Sequence, residues 1–228
     1  IPVHLYGQPC DMDSIISIAK KYNLKVIEDC AEAHGSTFKG RKVGSFGDIG
    51  CFSFYGNKVI TTGEGGMCTT NNSRYESVMR VLRDHGMSKS KKYWHDHVGY
   101  NYRMTNLQAA IGLAQLERID EIHNNRFACE KLYRNLLKNN GFDFQKIIPG
   151  RDKITWLVSV TVESNRDQVL NLLKKLGIDI RPFFFSLSSM PIYKKYAFNE
   201  NTISKKISKS GLNLPAYEDL NKLNKMDK

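Results

Sequence analysis

The residues of this chain best suited to chemistry are Asp29, Ser53 and Lys58. Asp29 closes an apolar run, residues 24–29, that reads as a short strand. In open α/β sheets, ligands bind outside the carboxyl ends of the strands. Lys58 follows a second strand-like run, 49–55, after the turn Gly56-Asn57, which aims its amine at the same crevice. A carboxylate and an amine at one crevice suit pyridoxal phosphate. The amine forms a Schiff base with the aldehyde, and the carboxylate keeps the pyridine nitrogen protonated so that the ring accepts electrons. Ser53, five residues before Lys58, offers a hydroxyl to the cofactor phosphate. Residue types and spacing alone also fit a capping aspartate and a solvated lysine. The glycine-rich turn at 61–66 adds little, because it lacks the strand-to-helix setting and the Lys-Ser or Lys-Thr ending of a phosphate loop.

The elements that must position these residues can be read from apolar periodicity. Residues 13–22 place Ile15, Ile16, Ile18 and Ala19 on an amphipathic helix that precedes the 24–29 strand. A helix feeding a strand points to an α/β unit with a parallel sheet. A short strand at 67–70 and a helix at 75–83 follow, and then a polar, aromatic loop from 84 to 103. Beyond it one long helix is expected from Thr105, capped by Thr105 or Asn106, to about Lys138. A smaller α/β unit closes the chain: strand 155–162, helix 166–176, a short strand at 178–181 and a Lys-rich tail.

Composition narrows the classes. The chain has 228 residues and opens on Ile1 without a methionine, so a piece of something longer is expected. No run approaches the roughly 18 apolar residues of a membrane span. The five cysteines are odd in number and hold no C-x-x-C pair, which suits reduced thiols in a cytoplasmic protein and neither a disulfide framework nor a metal site. Cys30, Cys51 and Cys68 sit in apolar runs and read as small buried hydrophobes. The net charge of +11 is spread along the chain, with small clusters at 89–92 and 205–209. Without an aromatic-interleaved basic stripe or a DNA-binding motif, solvated lysine faces are expected and a nucleic-acid partner is not. A phosphate-rich small substrate is compatible with the same charge.

Several segments resemble one family. They are Ile27-Glu28-Asp29-Cys30-Ala31-Glu32-Ala33-His34-Gly35, Phe52-Ser53-Phe54-Tyr55-Gly56-Asn57-Lys58, Thr62-Gly63-Glu64-Gly65-Gly66 and the run from Gly99 to Ala110 that includes Asn101, Arg103 and Gln108. In this order and spacing they are similar to the pyridoxal-phosphate-dependent sugar aminotransferases of the DegT/DnrJ/EryC1/StrS type. Residues 2–7, 84–87 and 93–95 are most like its perosamine-forming branch. The resemblance implies an α/β, fold-type I transferase in which residues 1–120 are the C-terminal part of the large cofactor domain. Residues 121–228 would be a bridging helix and a small C-terminal domain.

It further implies transfer of an amino group from L-glutamate to a 4-keto-6-deoxy nucleotide sugar, GDP-linked first and UDP- or dTDP-linked next, for surface polysaccharide. A dehydrase or an inactive sensor on the same fold are the rivals, and Lys58 speaks against the dehydrase. By the same resemblance Lys58 carries the cofactor and moves the proton, Asp29 pairs with the ring nitrogen, and Glu32 meets the ring hydroxyl. Ser53 holds the phosphate, and Asn101 reaches the phosphate of the other subunit in a homodimer. His34, Arg103 and Tyr93 are secondary candidates for the substrate pocket, each with a plainer packing role beside it. The phenylalanines after Arg181-Pro182 are expected in the core. Relatives begin earlier, so the phosphate-binding turn and the ring-stacking aromatic are expected in a preceding segment.

Overall fold

A computed structural model describes residues 1–163, 165–197 and 202–216. Its elements in chain order are α1 (Met12–Lys21), β1 (Ile27–Asp29), β2 (Thr37–Phe38), β3 (Arg41–Lys42), β4 (Ile49–Ser53), β5 (Gly66–Thr69), α2 (Ser73–Arg83), α3 (Asn106–Leu116), α4 (Ile119–Leu136), β6 (Phe142–Phe144), β7 (Arg151–Asp152), β8 (Val158–Val162), α5 (Arg166–Lys175), β9 (Arg181–Pro182), α6 (Thr202–Ser210) and β10 (Gly211–Leu214). The chain segregates into two compact units, residues 1–123 with 148–156, and 124–147 with 157–228.

The first unit is built on the sheet β1-β4-β5. β1 runs parallel to β4 with Asp29 opposite Cys51, and β4 runs antiparallel to β5 with Ser53 opposite Gly66. Asp29 and Ser53 therefore finish neighbouring parallel strands at one end of the sheet. Local signals agree with these elements. Asp11 caps α1 by accepting the Ser14 N–H, and Asn72 caps α2 through the Arg74 and Tyr75 N–H groups. Thr105 and Gln108 make a reciprocal capping box on α3.

The outer edge of β1 is held by the first residues of the chain. Asp29 donates its N–H to the Pro2 carbonyl at 2.9 Å, and His4 donates its N–H to the Asp29 carbonyl at 3.0 Å. Next to Asp29, Glu28 turns to the opposite face and is fully buried. Its Oε1 accepts the Phe46 and Gly47 N–H groups, each at 2.7 Å, and its Oε2 accepts the Gly44 N–H at 2.8 Å. His4, also fully buried, lies 3.2 Å from Oε2 through Nε2. Burial disfavours a charge on His4, while Glu28 and the Cys30 thiol favour one. The Cys10 N–H, aimed at Nδ1 from 3.0 Å, decides for the neutral ring with its proton on Nε2. A proton on Nδ1 would face that amide donor to donor.

Two expectations are corrected here. The helix expected from 105 to 138 is broken into α3 and α4. At the break the Arg118 N–H turns to the Gln115 carbonyl, a tighter i→i−3 bond, while Gln115 is pinned by its side chain to Thr61. The burial expected for Cys51 and Cys68 fails too: Cys51 is partly buried and Cys68 exposed, whereas Cys30 is buried.

The second unit packs the sheet β6-β8-β10-β9 around Val158, Val160, Ile180, Leu212 and Leu214, with Leu170 of α5 in the same cluster. Its pairings are antiparallel throughout. Arg181 and Pro182 form the short edge strand β9 against β10. Of the two phenylalanines after it that were expected in the core, Phe183 is partly buried and Phe184 is exposed. Part of the Lys-rich tail lies outside the described residues. Among the described residues no helix is long and apolar enough to cross a membrane.

Candidate active site

Beyond Ser53 the chain leaves the sheet in a loop that is closed on itself. The Phe54 N–H donates to the Gly65 carbonyl at 2.9 Å, and the Phe54 carbonyl accepts the Thr62 N–H at 2.9 Å and the Thr61 hydroxyl at 2.9 Å. Inside it, the Lys58 N–H closes a turn on the Tyr55 carbonyl at 3.0 Å. Two distant side chains fix the loop. Gln115 of α3 takes the Thr61 N–H and gives an N–H to the Thr61 carbonyl, both at 3.0 Å. Trp156 donates its indole N–H to the Asn57 carbonyl at 2.7 Å.

The Lys58 side chain is thereby folded inward, 12% exposed, with its Nζ 4.0 Å from Glu32 Oε1. It also lies 4.2 Å from the centre of the Trp156 ring. Trp156 in turn stacks on Tyr6 at 6.0 Å and 19°. Glu32 uses its other oxygen to accept the Tyr6 N–H at 2.7 Å, steadying a residue held at φ +51°. The next residue, Gly7, has φ +80°, and a Cβ there would sit 2.2 Å from the Ile154 carbonyl oxygen, so only glycine fits. Backbone strain, carboxylate, amine and indole form one connected arrangement.

Its electrostatics follow from burial. Loss of water lowers the Lys58 pKa, while Glu32 and then Asp29 oppose that shift. Burial raises the Glu32 carboxyl, against the Tyr6 N–H and the Lys58 charge. Both effects favour the neutral forms of the pair, so the amine is a better nucleophile and base than a surface lysine. Asp29 is near enough to act on both groups, and among the described residues the Ala31 N–H, at 3.0 Å, is the one donor to its carboxylate.

Asp29, Glu32 and Lys58 thus converge, and Ser53 stands at the strand end beside them with its hydroxyl accepting the Tyr55 N–H at 3.3 Å. His34 is buried against Phe52 and Phe54, with ring centres 5.7 and 5.8 Å away. Burial pushes its pKa down to about 4, so the ring is neutral and apolar in setting. Asn101 and Arg103 line a cavity of about 890 Å³, together with Glu64, Gly66, Cys68 and Gln108, that Lys58 does not line. Arg103 pairs with Asp84 at 3.3 Å. Tyr93 is 76% exposed.

The DegT/DnrJ/EryC1/StrS aminotransferase family profile matches residues 1–226. The chain belongs to this family. Among its aminotransferase relatives, the GDP-perosamine synthase of Caulobacter vibrioides is 47% identical over 96% of this chain and 61% of its own length. That of Escherichia coli O157:H7 is 42% identical over 96% of this chain and 60% of its own. The crystal structure of S. venezuelae DesV, in complex with a ketimine intermediate, superposes with a TM-score of 0.86 at 31% identity, over 99% of this chain and 62% of DesV. The chain therefore spans about three fifths of the length of these aminotransferases. The fold-type I α/β architecture expected from sequence is the one found.

Sequence reasoning missed three residues of this candidate site: Tyr6, Gln115 and Trp156. Trp156 stood in an expected strand, but it falls two residues before β8 and is 2% exposed. A tryptophan beside a strand start is a weak signal. Gln115, a polar residue amid the apolar positions of α3, was the better one.

Proposed function

We propose that the full-length protein is a pyridoxal-phosphate-dependent aminotransferase that moves an amino group from L-glutamate to a GDP-linked 4-keto-6-deoxy sugar, in surface polysaccharide (O-antigen) biosynthesis. The observation that carries this reading is the buried Lys58 amine, 4.0 Å from Glu32 and within the field of Asp29, in a chain of this family. The names of the relatives support the GDP-linked sugar. A homodimer, to which Asn101 contributes, and a cytoplasmic location without nucleic-acid or membrane partners belong to the same proposal. So does the division into a cofactor domain over 1–120 and a small domain over 121–228.

The residues fit the cofactor. A lysine amine relieved of part of its proton affinity by burial can condense with an aldehyde, and a strand-end carboxylate with one short hydrogen bond retains capacity for a ring N–H. When bound, the cofactor supplies an electron sink for the carbon that loses its proton. Lys58 provides the covalent anchor and, once released, holds and moves the proton at Nζ. Asp29 provides the negative charge that keeps a ring nitrogen protonated. Glu32 orients Lys58 and contributes a carboxyl at the ring hydroxyl, and Ser53 gives a hydroxyl to the phosphate. The Trp156 face, at 4.2 Å, limits where Nζ can swing and shields it from water. His34, neutral and buried, supports the Phe52–Phe54 wall of the site.

Assaying the full-length protein with glutamate against GDP-, UDP- and dTDP-linked 4-keto sugars tests the proposal. Turnover of the GDP sugar that is lost in Lys58→Ala is expected. Preference for a UDP or dTDP sugar moves the specificity to the other nucleotides. Cofactor binding without turnover of any of them favours the sensor reading.

A further inference from the structure

We infer that Cys51 and Cys68 are a site of reversible oxidation, forming a cross-strand disulfide with a two-electron oxidant of the peroxide class. The two residues are direct partners in the antiparallel pairing of β4 and β5. Their sulfur atoms are 4.0 Å apart. The ladder type is set by the neighbouring bonds. The Cys51 carbonyl accepts the Cys30 N–H at 2.8 Å, on the side away from β5, while Phe54, three residues on and so of opposite parity, donates its N–H toward β5, to the Gly65 carbonyl. Alternation along β4 makes Cys51 and Cys68 a non-hydrogen-bonded pair, the type with Cα atoms about 4.5 Å apart and side chains closest. That spacing lies inside the roughly 4.4–6.8 Å a disulfide spans, so side-chain rotation closes the bond without moving the strands.

The two thiols have different tasks. Cys68 is the more exposed of the two in this chain, and the proposal assigns it the first encounter with the oxidant. Cys51 is partly buried, with Asp29 opposite it on β1; burial, and then Cys68 itself, push its pKa up to about 11. In the first step the Cys68 thiolate attacks one peroxide oxygen, the O–O bond breaks, and a sulfenic acid and hydroxide result. Cys51 then attacks the Cys68 sulfur as its thiolate, the S–S bond forms, and hydroxide leaves as water. Two thiols and one hydrogen peroxide give one disulfide and two waters. The remaining nearby thiol, Cys30, is buried beside His4 and Glu28 and takes no part. The bond would close residues 51–68, which carry Ser53, Lys58 and the glycine-rich turn, into a covalent ring.

The test treats the full-length protein with hydrogen peroxide, stops the reaction with an alkylating reagent, and maps the peptides by mass spectrometry. Expected are a Cys51–Cys68 linked peptide, a mass loss of about 2 Da and a fall of two in titratable thiols, all reversed by dithiothreitol. Cys68→Ser and Cys51→Ala should each abolish the linked peptide while the wild-type map supplies the positive result. Three outcomes overturn the inference: no loss of thiols, a gain of about 32 Da on Cys68 as sulfinic acid without linkage, or a disulfide joining either residue to any other partner.

Discussion

Replacing Glu28 by glutamine should destabilise the protein far more than replacing its neighbour Asp29. The Glu28 carboxylate is fully buried and takes four donors: the Phe46 and Gly47 N–H groups on Oε1, and the Gly44 N–H and His4 Nε2–H on Oε2. Glutamine has the same size but only one acceptor oxygen, and its amide group donates. Whichever way it is turned, two buried donors face an NH₂. Each orphaned group costs about 1–3 kcal/mol, so the loss is about 2–6 kcal/mol. Against a total of about 5–15 kcal/mol for a typical domain, that is a large fraction. A urea melt of the full-length variant, followed by fluorescence, measures it. Two further readouts make the cause specific. The amides of Gly44, Phe46 and Gly47 should lose hydrogen-exchange protection before the rest of the sheet does. The acid limb should flatten as well. Burial raises the Glu28 pKa, but His4 and the three N–H groups outweigh it and hold the carboxyl below its ordinary value of 4.5. A carboxyl depressed in the folded state stabilises it above the unfolded pKa and loses that stabilisation as pH falls through the folded one. Wild type should therefore lose stability below about pH 4.5, and Glu28→Gln should lack this part of the loss. A destabilisation under about 1 kcal/mol would refute the donor accounting.

Asp29→Asn should change stability by less than about 1 kcal/mol, since its carboxylate carries one hydrogen bond from Ala31, yet lower turnover by about 100-fold or more; urea melts and steady-state kinetics on the same preparation check both. Trp156→Phe keeps a ring over Lys58 but leaves the Asn57 carbonyl without its indole donor, for a loss of about 1–3 kcal/mol visible in the same melts. Glu32→Gln removes the nearest negative charge from Lys58, so the amine should give up its proton at lower pH than in wild type. Competitive acetylation read by mass spectrometry would then show greater Lys58 reactivity at a fixed pH, and equal or lower reactivity would contradict the pairing. His34, held near a pKa of about 4 against 6.5, makes the unfolded chain the better proton acceptor between those values. Stability should fall by on the order of 3 kcal/mol as pH drops through that window, and His34→Phe should remove that part of the slope.

The candidate cluster was legible because its members lie close in sequence and in short, patterned segments. Asp29 and Glu32 follow one strand and Ser53 and Lys58 another, and the parallel register of β1 and β4 brings the two ends together. What escaped was long-range. Trp156 and Gln115 act across 99 and 54 residues, and local periodicity carries no information about such pairings. The role of Glu28 was hidden by its position beside Asp29. Both read as acids at a strand end, and only the alternation of a strand separates the buried acceptor from the one that faces the site. The broken helix shows the same limit. Nothing in residues 115–119 is a glycine or proline, and the break follows the residue whose side chain is tied to Thr61.

The clamps on the Lys58 loop also constrain when, during synthesis, that lysine can reach its working position. The chain emerges from the ribosome from its N-terminal end. The sheet strands and the loop itself are complete by Thr69, but the Gln115 clamp lies 54 residues beyond Thr61 and the indole that holds Asn57 comes 99 residues after it. Until Trp156 has been made, the loop lacks the indole donor at Asn57 and the ring beside Nζ. The setting of Lys58 is thus completed late, by contacts of high sequence separation that local folding cannot anticipate.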